Sequence, residues 1–138
     1  MKQKKEEALF YGFHDEERLA AAQKSLHRLN IPSRVVPEEK WYEKVGYLFG
    51  MAGFRASKPV SPEDDDGFVF PHEVMVLRGV RGKRLDQVLA QLKADGVEHI
   101  AYKSVVTPFN TLWTLRRLCE TMQKEHAYMA AKEESKHE

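Results

Sequence analysis

The sequence predicts an α/β protein made of two pseudo-repeated β-α-β-α halves that share one four-stranded sheet with helices packed on it. Three observations lead there. Two short apolar runs, Ala8-Leu9-Phe10-Tyr11 and Val74-Met75-Val76-Leu77, each lead into a glycine, Gly12 and Gly79. Each run is followed by a helical pattern, a helix stop, a second strand-like run and another helical pattern, in the same order. With 138 residues in all, each half is too small to bury its own apolar face, so the two are expected to join strands in a common sheet.

The elements follow in turn. The run at Ala8–Phe13 is apolar and aromatic, as suits a buried strand. Asp15 then precedes a pattern with Leu19, Ala22, Leu26 and Leu29 on one helical face. Asn30 is placed to stop that helix, and Pro32 cannot continue it. Arg34-Val35-Val36 reads as the second strand, closed by Pro37. Glu38, Glu39 and Lys40 open a second helix with acidic residues in its first turn, and Trp41, Val45 and Leu48 fall at helical spacing. Gly46 and Gly50 weaken this helix by up to ~1 kcal/mol each, which close packing against the sheet would explain.

Residues 55–72 are rich in Pro, Ser and Asp and read as an acidic connector between the half at 8–54 and the half at 73–131. Asp64-Asp65-Asp66-Gly67 lacks the spaced ligands and closing glutamate of a calcium loop, so a solvated linker is the simpler reading. In the second half, Leu85, Val88, Leu89 and Leu92 form a helical face that ends at Gly96, and Ala101–Val106 holds a strand. Thr107-Pro108 suits the cap and first position of a last helix, whose apolar face carries Leu112, Leu115, Leu118, Cys119 and Met122. That helix outruns the strand before it, leaving His126, Tyr128 and Met129 to dock on the first half or on a second copy, while 132–138 reads as a frayed tail.

Lys plus Arg is 22 and Asp plus Glu is 21, a net charge of +1 that argues against a dedicated nucleic-acid binder and a membrane-surface protein. No apolar run reaches the length of a membrane span, and the expected compartment is the cytoplasm. Cys119 is the one cysteine, so an internal disulfide is excluded and a small buried apolar role is expected of it. His14, His27, His72, His99 and His126 have no metal-ligand spacing, and neither a nucleophile motif nor a dinucleotide or other cofactor fingerprint is present. Glu125-His126 are neighbours on a helix and point about 100° apart, a poor acid/base pair.

Two places remain as candidate sites. One is the strand-to-helix junction at Thr107, where an anion would suit the helix start. Lys103 would supply a counter-charge, Asn110 and Thr114 hydrogen bonds, and Trp113 a wall. The simpler alternative makes Thr107 and Asn110 helix caps and Trp113 a core residue, with Trp113→Ala then costing about 3–5 kcal/mol. The other is the basic loop of Arg78, Arg81, Lys83 and Arg84, suited to phosphate or RNA backbone. It is too short for a phosphate-binding loop and lacks the hydroxyl residue after the lysine, so a solvated loop is again simpler.

The stretch Lys103-Ser104-Val105-Val106-Thr107-Pro108-Phe109-Asn110-Thr111-Leu112-Trp113-Thr114-Leu115, with Glu125-His126 beyond it, resembles a bacterial family catalogued only as a domain of unknown function. The resemblance spans about residues 74–128. Residues Arg78–Arg84 depart from the polar-to-acidic loop usual there. The resemblance implies no activity, cofactor or catalytic residue. The sequence therefore favours a non-catalytic binding or regulatory module for a small anionic ligand. A small enzyme in the same crevice, and RNA or phosphate binding at 78–84, are the alternatives.

Overall fold

The computed structural model describes residues 5–136. Side chains beyond residue 127, including Tyr128 and Met129, lie outside the described residues; of the segment read as a frayed tail, 132–136 is helical and 137–138 lie outside the described residues.

Four strands, β1 (Glu7–Tyr11), β2 (Ser33–Val35), β3 (Val74–Arg78) and β4 (Tyr102–Val105), form one sheet in the order β2-β1-β3-β4. β1 pairs parallel to β2, β3 pairs parallel to β4, and β1 meets β3 antiparallel with Leu9 opposite Val76. The parallel pairs follow from the crossover helices α1 (Glu16–Arg28) and α3 (Lys83–Ala94), which carry the chain back along the sheet. Two shorter paths return on the opposite face to α2 (Val45–Leu48) and α4 (Leu115–Lys136).

Helices on both faces explain why β1 and β3 read as unbroken apolar runs. Ala8, Phe10, Met75 and Leu77 pack under α1 and α3 with Ala22, Leu26, Val88 and Leu92. Leu9, Tyr11, Val74 and Val76 face the other way, against Val45, Phe49, Leu115, Leu118 and Cys119. The edge strands β2 and β4 are only partly covered and are correspondingly mixed in sequence.

The first layer is also tied by polar contacts. Asp15 caps α1 by accepting from the Arg18 amide (3.1 Å). Arg18 Nε donates to both oxygens of Glu73 (2.8 and 2.7 Å), and Ser25 Oγ donates to Asp95 Oδ2 (2.7 Å), linking α1 to the end of α3. The bonds from Gln91 and Ser25 hold the Asp95 carboxyl below its ordinary range. Asn30 and Gly96, the expected helix stops, take the left-handed backbone at φ 60° and 81°.

Two helices depart from expectation. The segment after Pro37 is a 3-10 turn at Glu38–Tyr42 followed by the four-residue α2, and the segment after Thr107 is a 3-10 turn at Asn110–Leu112 before α4 starts at Leu115. The cause is a small bridge between the halves, Lys44 against Thr114. The Val45 amide donates to the Trp113 carbonyl and the Leu115 amide to the Glu43 carbonyl, both at 2.9 Å. Glu43 and Trp113 are extended to make these bonds, so a continuous helix is broken at both places. A Cβ at Gly46 would sit 2.4–2.6 Å from ring atoms of Phe54, so the glycine lets that ring pack closely on α2.

The connector is anchored at several points. The Ser57 amide donates to Glu43 Oε1 (2.7 Å), Asp66 takes a two-pronged contact from Arg116 (2.9 and 2.7 Å), and Phe68 and Phe70 join the second layer. The Asp66 carboxyl is held below its ordinary range chiefly by the hydrogen bonds from Arg116.

Candidate functional site

The Thr107 junction is assembled by its own side chains. The Thr107 amide donates to Asn110 Oδ1 (2.8 Å), the Asn110 amide donates to Thr107 Oγ1 (3.1 Å), and Asn110 Nδ2 donates to the Val105 carbonyl (3.2 Å). Asn110 is buried and engaged at both ends of its amide. The start of α4 lies further on, where Thr114 Oγ1 accepts from the Arg117 amide (3.1 Å). Trp113 is half-buried, with the Arg117 guanidinium 4.5 Å from its ring centre.

Lys103 is not with them. It lies at the opposite end of β4, four residues or about 13 Å from Thr107 at ~3.3 Å per residue. Its ammonium donates to the Ile100 carbonyl (3.0 Å). Thr107 and Asn110 therefore stand together, Trp113 and Thr114 are engaged further along with Arg117 and Lys44, and Lys103 faces other surroundings.

The basic loop also divides. Arg84 is committed to structure: Nε and Nη2 bind the Glu6 carboxylate (2.8 and 3.0 Å), and Nη2 also donates to the Leu29 carbonyl. Arg78 approaches Glu7 Oε1 at 3.3 Å, and Lys5 approaches the same oxygen at 3.2 Å. Arg81 and Lys83 are exposed, and no ion pair holds either among the described residues.

What the fold brings together is the end of this loop and the Thr107 junction. Lys5, Arg78 and Arg81 share an open groove of about 410 Å³ with Thr107, Pro108 and Thr111. The groove lies where β3 and β4 end and β1 begins. Lys5 and Met51, which also line it, carry no distinguishing signal in the sequence. Their place depends on the antiparallel junction of β1 with β3 and on the path after α2. Among the described residues, no histidine, cysteine or carboxylate lines the groove; the Glu7 carboxylate is buried beside its cations.

Among the described residues, no three His, Cys, Asp or Glu side chains converge in the way a metal site requires. Glu125 and His126 are exposed, and the His126 ring packs on Tyr102 with centres 5.6 Å apart. Cys119 is fully buried, and burial, with a smaller push from Glu120, raises its thiol to about 12. Alkylation of Cys119 by iodoacetamide in the native protein should run at least about a hundredfold slower than in urea-unfolded chain. Comparable rates would place the thiol outside the core.

Residues 73–129 match the family model described as a domain of unknown function, DUF3783. No curated protein and no solved structure matches the chain. The matched segment takes in β3, α3, β4 and the first part of α4, and so contains Arg78, Arg81 and Thr107 but not Lys5. No helix is long and apolar enough to cross a membrane among the described residues.

Proposed function

We propose that this chain, matched to DUF3783 over residues 73–129, is a non-catalytic binding or regulatory module that takes a small anionic ligand at the groove beside Thr107. The observation that carries the reading is the meeting of Lys5, Arg78 and Arg81 in one concave surface, where among the described residues the Glu7 carboxylate alone opposes them. The Thr107 amide is already taken by Asn110, so attraction rests on the cations. α3 begins just beyond Arg81 without a side-chain cap, and its dipole adds to the same potential. The groove is open, and among the described residues no carboxylate or imidazole lies along its wall, which favours binding over turnover.

Inorganic pyrophosphate at low ionic strength should raise the melting temperature by several degrees, and added salt should erase the rise. Arg81→Glu should remove it while leaving the unliganded melting temperature unchanged, because Arg81 is exposed. No rise in the native protein, or an undiminished rise in Arg81→Glu, would overturn the assignment.

The two halves are further read as copies of one β-α-β-α unit. Gly12 and Gly79 both follow the central strands, at φ 77° and 73°, and both lie against the backbone entering the opposite strand. Lys44 and Thr114 occupy matching places after the two 3-10 turns. These correspondences support duplication beyond the shared order of elements.

A further inference from the structure

A second cavity lies on the other side of the molecule from α4, between α3 and the loop that leads into β4. Its volume is about 480 Å³, within the ~300–1,000 Å³ range of small-molecule sites. Leu92, Val97 and Ile100 form its floor, each only 3% exposed, and Leu89 on α3 forms a wall at 37% exposure. Lys93 and Lys103 stand at the rim and are both exposed.

The loop wall is fixed before any ligand arrives. The Val97 amide donates to the Leu92 carbonyl (2.8 Å), Arg18 holds the Glu98 carbonyl, and Lys103 holds the Ile100 carbonyl at 3.0 Å. Between them His99 adopts φ 58°, a left-handed conformation that costs a non-glycine residue energy and gathers at ligand-binding walls. Its side chain points into solvent, 94% exposed. β4 is the edge of the sheet, so no further strand closes the cavity on that side.

We propose that this cavity binds a small amphipathic monocarboxylate, with its apolar body on Leu89, Leu92, Val97 and Ile100 and its carboxylate met by Lys93 and Lys103. The apolar floor selects a hydrocarbon or aromatic body. An ammonium has three donors, and Lys103 uses one on Ile100, so two remain for the ligand. Glu98 shares the rim and disfavours a dianion, which separates this site from the arginine-bearing groove at Thr107.

The test is an amide NMR titration of the full chain with octanoate, 1-octanol and inorganic phosphate. Octanoate should give saturable shifts confined to residues 89–103. 1-Octanol should bind there at least about tenfold more weakly, and phosphate should leave these amides unmoved. The double variant Lys93→Gln/Lys103→Gln should lose about tenfold in octanoate affinity and no more than about twofold for 1-octanol, the small loss reflecting the Lys103 bond to the loop wall, and Leu89→Glu should abolish both. If Leu89→Glu fails to fold, the lysine variant decides, since both of its positions are exposed. Absence of saturable octanoate shifts, equal affinity for 1-octanol, or undiminished octanoate binding in the lysine variant would overturn the proposal.

Discussion

Gly79→Ala should destabilise the protein by about 3 kcal/mol or more, seen as a fall in the urea midpoint with little change in slope. Gly79 sits at φ 73°, where an alanine is disfavoured by about 1 kcal/mol. The larger part of the effect is collision. A Cβ at this position would lie 2.3 Å from the Lys5 carbonyl oxygen and 3.0 Å from its carbon. Both atoms are backbone, so relief requires moving the entry of β1, which pairs with β3 at the centre of the sheet. Gly12→Ala should behave alike, since its Cβ would lie 2.4 Å from the His72 carbonyl oxygen. Gly96→Ala is the control: φ is 81° but nothing lies within 4 Å, so only the conformational cost of ~1 kcal/mol remains. Equal losses at Gly79 and Gly96 would mean that the chains do not approach so closely beneath β3. The Gly79 variant should also disturb the anion groove, because Lys5 lines it.

Phe10→Ala should cost about 3–5 kcal/mol by the same measurement. The ring is fully buried in the layer beneath α1 and α3 and meets Phe13 edge-on with centres 5.3 Å apart. Such a loss is a large share of the ~5–15 kcal/mol that holds a domain folded. Trp113→Ala, expected to cost about 3–5 kcal/mol if the ring were core, should cost less than Phe10→Ala. The indole is only half-buried and one face meets the Arg117 guanidinium, so truncation removes less contact and leaves a space that solvent can enter. A Trp113→Ala loss equal to that of Phe10→Ala would contradict this packing.

The candidate site was only partly legible in the sequence, for reasons particular to its residues. Thr107 and Asn110 were recognisable because a hydroxyl and an amide three residues apart suit a reciprocal cap, a local event. Lys103 was misplaced relative to Thr107 because nearness in sequence becomes about 13 Å along an extended strand. Arg84 looked like one cation of a set, but its partners, Glu6 and the Leu29 carbonyl, are far away in the chain. Lys5 and Met51 carry no local signal and enter the groove through pairing alone.

Composition and periodicity were sufficient for the class, the number of strands, the two crossover helices and the helix stops at Asn30 and Gly96. Each depends on apolar spacing or backbone preference within a few residues. Tertiary structure decided the antiparallel meeting of the halves, the Lys44–Thr114 bridge that breaks both later helices, and which cations face a common groove. The physical reason is that strand order and long-range hydrogen bonding are settled by competition among distant surfaces to be buried, and no short window of residues contains both competitors.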